Sequence, residues 1–247
     1  MDLEGREDLD QYKFSLIDMI KRMHFNRRQM TSLMNQQQND DWSLEQLFNH
    51  LFTEHFNELA IQDTSLDLRN QRVVKADAER TRLAEISSIS SMPNQEIVSK
   101  IEKLLTFYTK KSGTTYKQGY NELVGPFLWL AYKNSSKNDP LYTNNPLTLS
   151  YHALDLFIRN FMPTLFLDDD FICLQSCFCL LRLLLKYHDP QICHVLSSAG
   201  VTPELYATSW FFTYFANKCD RIEIVIELWS RIINERKRNH KYIFAFS

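Results

Sequence analysis

Arg80, in VVKADAERTR (Val73 to Arg82), and Gln118, in TTYKQGYNELVGPFLWL (Thr114 to Leu130), are the two side chains whose type and setting point to chemistry. On helical spacing Asp77 and Arg80 lie three apart on one face, so the carboxylate can hold the guanidinium in a fixed direction and present it to an anion. Gln118, followed by Gly119, stands where a polar, loop-like start gives way to an apolar helix. Its amide therefore sits near a helix N-terminus with little steric cover, where it can orient a water. Singly, neither feature is specific, since an Asp and an Arg at this spacing also describe an ordinary solvated pair of little worth to stability. Together they fit one reaction. Hydrolysis of a γ-phosphate needs positive charge on the developing transition state and a group that aligns the attacking water.

The chain lacks a nucleotide site of the kind that would make this reaction its own. No Gly-rich phosphate loop with a following Lys occurs. A chain with both groups and no such loop can lend them to another protein. Metal chemistry has no signature either: His50 and His55 are five apart on an expected helix, which points them in different directions, and there is no helical HExxH. Cys173, Cys177 and Cys179, set among Phe, Leu and Ile, read as small apolar core fillers with raised thiol pKa values. Asp168, Asp169 and Asp170 just before a helix read as an N-terminal cap favoured by the helix dipole.

The elements that must carry Arg80 and Gln118 are helical. Five glycines and seven prolines in 247 residues are too few for the turns of a sheet protein. Apolar residues recur at three and four spacing in YKFSLIDMIKRM, SLEQLFNHLFTEHFNEL, QEIVSKIEKLLTFYTKK, LSYHALDLFIRNFM and IEIVIELWSRIINERK. Breaks are expected at Gln36 to Asp41, Ser87 to Asn94, Lys133 to Asn145, Asp168 to Asp170 and Ser197 to Pro203, and none is long enough to be an interdomain linker. With 44% hydrophobic residues the chain can bury a substantial core, so the simplest organisation is one all-α domain. The dense aromatics from Trp210 to Phe215, with Trp129 and Trp229, read mainly as core anchors.

Charge and apolar runs narrow the partners. A formal net charge of −2 gives no footprint for nucleic acid. The acidic start MDLEGREDLDQYK is unlike a signal peptide, and five cysteines, an odd number, are unlike the paired framework of a small secreted domain; both point to a reducing, cytoplasmic setting. FICLQSCFCLLRLLLKY is interrupted by Arg182 and Lys186 and is read as a buried core helix, not a transmembrane segment.

Val74, Asp77, Arg80 and Thr81 resemble the first motif of the TBC-domain family, Ile, Asp, Arg and Thr at those spacings, with Val for Ile. Tyr116, Gln118 and Gly119 resemble its second motif, Tyr-x-Gln-Gly. FMPTLF, PELYATSWFFTYFANK and IELWSR are similar, in the same order, to the family's Met-Pro, Trp-Phe and Leu-Trp-Asp segments. The resemblance runs from about Val73 to about Arg231. It implies an all-helical GTPase-activating protein for a Rab-type small GTPase, with Arg80 as arginine finger and Gln118 as the glutamine finger replacing the GTPase's own. Asp77, Thr81, Tyr116 and Gly119 would support them. It also implies no cofactor of the chain's own, GTP and Mg²⁺ being held by the Rab, and a cytoplasmic protein recruited peripherally to endomembranes in vesicle trafficking.

Departures from the family pattern divide the chain for expectation. Residues 1–72 form a divergent N-terminal helical part without the usual Gly-Ile-Pro entry, and residues 73–247 carry the finger motifs. Ser230 stands where Asp usually follows Leu-Trp, which removes a capping or ion-pair carboxylate. The ending KYIFAFS suggests a domain shortened at its C-terminus. Two function classes follow: a catalytic Rab activator, favoured by the presence of both fingers, and a catalytically inactive TBC module that binds a Rab or serves as a trafficking scaffold.

Overall fold

The computed structural model describes residues 44–46, 57–135, 145–162, 165–166 and 171–238. The helices expected in YKFSLIDMIKRM and in most of SLEQLFNHLFTEHFNEL lie outside the described residues, as do His50, His55 and the Asp168 to Asp170 cap. The described residues are all-α and contain no strand: α1 Gln71–Ala78, α2 Leu83–Ser90, α3 Asn94–Ser112, α4 Tyr120–Ser135, α5 Pro146–Phe161, α6 Ile172–His188, α7 Pro190–Ser198, α8 Pro203–Thr213 and α9 Ile222–Arg238. Short 3₁₀ turns occupy Ile61–Asp63 and Ala216–Lys218. By contacts the chain separates into two compact units, one built on 158–212 and the other on 40–157 with 213–244.

The second of these units holds both motif stretches. Its central helix α3 buries Ile97, Ile101, Leu104, Leu105 and Tyr108, the three and four spacing that marks one helix face. Gly113 at φ +67 ends α3 in the left-handed conformation that glycine adopts without steric cost. On α3 rest α1, α2 and α4. Gln71 at the start of α1 donates to Glu102 Oε1 at 2.7 Å and Thr106 Oγ1 at 3.1 Å on α3, fixing the rotation of α1 so that Val74, Asp77 and Ala78 turn inward.

Aromatic packing closes the core of this unit. Trp229 on α9 is fully buried, stacks on Phe157 of α5 at 4.5 Å and tilts against Phe127 of α4 at 5.3 Å. Its indole N–H donates to the Tyr214 carbonyl at 2.8 Å, the partner that a buried tryptophan needs. Ser230, beside it, is buried. Its hydroxyl accepts the Leu44 amide at 2.7 Å and donates to the Ile226 carbonyl at 2.6 Å, tying α9 to residue 44.

Two expectations need correction. The break expected from Ser87 is a helix as far as Ser90, because serine hydroxyls bond the turn itself: Ser90 donates to the Ile86 carbonyl at 2.8 Å and Ser87 to that of Met92 at 2.7 Å. In the other unit, α6 is the expected helix but not a wholly buried one. Cys173, Leu174, Cys177 and Phe178 are buried, whereas Cys179, Arg182, Leu183, Lys186 and Tyr187 are exposed. Those exposed residues follow one another at three and four spacing and form a separate stripe, and Cys179, two residues past Cys177, falls on it. The Cys177 thiol is pushed up by its hydrogen bond with Cys173 and by burial, in keeping with a core filler.

Candidate functional site

Arg80 is not on a helix. Helix α1 ends at Ala78, and the chain turns through Glu79 and Arg80, whose amide bonds the Asp77 carbonyl at 3.1 Å. Asp77 is 1% exposed, so its pair with Arg80 is no ordinary solvated surface pair. One carboxylate oxygen, Oδ1, holds Arg80 Nη2; the other, Oδ2, accepts the Tyr116 hydroxyl at 2.9 Å. Arg80 Nε donates to the Ala76 carbonyl at 3.2 Å. The Arg80 side chain is nevertheless 63% exposed, with two of its nitrogens fixed and one edge left to solvent.

Thr81 and Asn121 link this turn to the second motif. Thr81, fully buried, donates to the Asp77 carbonyl at 2.8 Å and accepts from Asn121 Nδ2 at 3.2 Å. Asn121 Nδ2 also lies 3.3 Å from the Asp77 carbonyl, while its Oδ1 accepts the Gly119 amide at 3.3 Å. The turn that carries Gln118 is thereby tied at both ends to the turn that carries Arg80, through Tyr116 on one side and Asn121 on the other. Gly119 has φ +113, a backbone setting that a side chain at this position would strain. Its carbonyl accepts the Glu122 and Leu123 amides and opens α4. Gln118 is exposed one residue before it. Gly125, one turn into α4, permits the close approach: a Cβ there would lie 3.3 Å from Thr81 Cγ2.

Charge in the site is mixed. Burial pushes the Glu122 carboxyl up, and the Arg82 and Arg80 charges oppose that shift, so a half-buried acid stands within electrostatic reach of both arginines. Burial, and then the Asp77 carboxylate, push the Tyr116 hydroxyl far above its ordinary value, so it stays a neutral donor. Tyr116→Phe should therefore leave one Asp77 oxygen short of a donor inside the fold. A destabilisation of about 1–3 kcal/mol is expected, read from the midpoint of urea unfolding.

The structure thus brings together Asp77, Arg80, Thr81, Tyr116 and Gly119 in one hydrogen-bonded cluster and places Gln118 on its edge. Sequence reasoning missed Asn121, Glu122, Arg82 and Glu85. Asn121 lies in the quoted second stretch, and an amide in the first turn of an apolar helix was the signal available. Arg82 had none, since it bonds carbonyls 134 and 137 residues away. Among the described residues there is no cluster of three or more His, Cys, Asp or Glu able to hold a metal ion.

Comparison with known proteins gives the family and the fold. Residues 33–247 match the family model of the Rab-GTPase-TBC domain. The chain is 27% identical over 118 residues to the TBC domain-containing protein kinase-like protein of Homo sapiens, and equally to that of Mus musculus, the match covering 48% of this chain and 12% of theirs. Against the protein of that name in Dictyostelium discoideum it is 26% identical over 147 residues, 59% of this chain and 13% of the other. The matched segment is therefore about an eighth of each relative's length. Among solved structures the Ypt/Rab-GAP domain of Gyp1p superposes with a TM-score of 0.55 at 14% identity, covering 96% of this chain and 77% of that one, a likeness of fold. With the family model matched over most of its length and the same all-helical fold, the chain belongs to the Rab-GTPase-TBC domain family.

Proposed function

We propose that this chain is a GTPase-activating protein for a Rab-type GTPase, supplying Arg80 and Gln118 in trans to a partner that holds GTP and Mg²⁺. The observation that carries the reading is the hydrogen-bonded link between the two turns. Asp77 joins Arg80 to Tyr116, and Asn121 joins Thr81 to Gly119, while Arg80 and Gln118 themselves remain exposed. Such an arrangement holds a cation and an amide on a common support before a partner arrives, and preorganised groups of this kind stabilise a transition state without a reorganisation cost. Family membership supports the choice of a Rab as partner. Among the described residues no helix is long and apolar enough to cross a membrane.

Single-turnover GTP hydrolysis by a panel of Rab proteins, with and without the chain, tests the proposal. Stimulation of at least one Rab by several orders of magnitude is expected, in line with an arginine supplied in trans. Binding to a Rab with no stimulation would replace this reading with that of a catalytically inactive TBC module acting as a Rab-binding scaffold.

A further inference from the structure

Arg82 is the residue in the neighbourhood of Arg80 with the most demanding surroundings. Its backbone is left-handed, φ +36 and ψ 38, an unfavourable conformation for any side chain with a Cβ. Its side chain is only 11% exposed. Nη2 donates to the carbonyls of Ala216 and Cys219, both at 2.5 Å, and Nη1 to Glu85 Oε2 at 3.0 Å. The other oxygen of Glu85 accepts the Ile222 amide, the first of α9, at 2.7 Å. One guanidinium and one carboxylate therefore clamp the start of α2 to the 3₁₀ turn 216–218 and the head of α9.

Between this clamp and the end of α1 lie just Glu79, Arg80 and Thr81. Their amides bond the carbonyls of Lys75, Asp77 and Ala78, and Thr81 is locked from the other side by Asp77 and Asn121. The segment is held at both ends, and Arg80 is its exposed apex. Release of the Arg82 end would let the left-handed residue relax toward ordinary helical or extended backbone, turning the chain direction two residues from Arg80. Lysine cannot substitute, because a single ammonium lacks the planar fork that reaches two carbonyls and a carboxylate at once.

We infer that Arg82 is a positioning residue for Arg80: by clamping the turn to the 216–219 backbone it fixes the direction in which the Arg80 guanidinium is presented. The inference rests on the proposed activating function and deepens it. Arg82 touches no partner group in this role and acts through Arg80 alone.

The test compares Arg82→Lys, Arg80→Ala and the double variant in single-turnover hydrolysis on a responsive Rab, with amide hydrogen exchange of the 76–86 segment as a second readout. Expected for Arg82→Lys is a fall in the maximal stimulated rate on the order of 10²-fold, the cost of displacing a reacting group by about 1 Å, with the half-saturating Rab concentration changed less than about twofold. The double variant should be no slower than Arg80→Ala, because a misdirected arginine that is absent costs nothing further. Exchange at Glu79, Arg80 and Thr81 should quicken, with the core amides of α3 unchanged. Glu85→Gln, which weakens the clamp while Arg82 itself is retained, should give a smaller loss of the same kind and keeps the question open to measurement if Arg82→Lys folds poorly. Unchanged stimulation by Arg82→Lys, losses that multiply with that of Arg80→Ala, or unchanged exchange at 79–81 would each overturn the inference. If the parent chain stimulates no Rab, the functional proposal fails by itself, and the exchange measurement still decides whether Arg82 holds the turn.

Discussion

Arg80→Ala is expected to lower the stimulated hydrolysis rate of a responsive Rab by on the order of 10³-fold or more, the low end of what an arginine supplied in trans contributes. The guanidinium would meet charge that grows toward the leaving β-phosphate oxygens, so it stabilises the transition state more than the bound ground state. Rab affinity should change little. Arg80 is 63% exposed, and the buried Asp77 keeps the Tyr116 hydroxyl on its other oxygen, so the alanine variant should also keep its fold; its helical circular dichroism should match the parent's. Arg80→Lys should recover little, since an ammonium cannot reproduce the multi-donor fork. An unchanged rate for Arg80→Ala would remove this residue from the reaction.

Gln118→Ala should cost on the order of 10²–10³-fold in the same assay, the usual penalty for removing one preorganised donor from a reacting oxygen. The side chain is exposed and lies in the turn before α4, where truncation leaves no cavity. Its neighbour Gly119 sets the turn by its φ of +113, independently of the Gln118 side chain. Unfolding midpoints should therefore coincide with the parent's while hydrolysis falls. If both Arg80→Ala and Gln118→Ala hydrolyse like the parent, the finger mechanism is wrong, and the Rab-binding scaffold takes its place.

How far the site could be read from sequence depended on how local its forces are. Helix α3 was legible because Ile97, Ile101, Leu104, Leu105 and Tyr108 repeat on one face, and α5 and α9 for the same reason. The hinge of the site was less so. Asp77 has the polarity of a surface residue, and its burial is set by Tyr116, 39 positions later, which no local pattern announces. Arg80 at helical spacing from Asp77 gave the correct pair for an incomplete reason, since the helix stops at Ala78 and the pairing is made across a turn. Arg82 and Glu85 were illegible, because the groups that give them a role belong to residues 216–222. The stripe on α6 was misread because apolar composition was taken for burial, whereas Leu183 and Tyr187 are 64% and 82% exposed.

Asp77 divides its two oxygens between two different dependants. Tyr116 holds Oδ2, and the Asp77 carbonyl is bonded by Thr81 and Asn121, so none of these three bonds is made through the oxygen that holds Arg80. Under the proposed mechanism the guanidinium would pass from Oδ1 to a phosphate, leaving the buried carboxylate with the Tyr116 hydroxyl on its other oxygen. Asp77 would then act, in the free protein, as a stand-in for that phosphate. On that reading departure would be an exchange, whose energy is the difference between two contacts and not the full loss of either, so a cation aimed before the encounter would still be free to transfer during it.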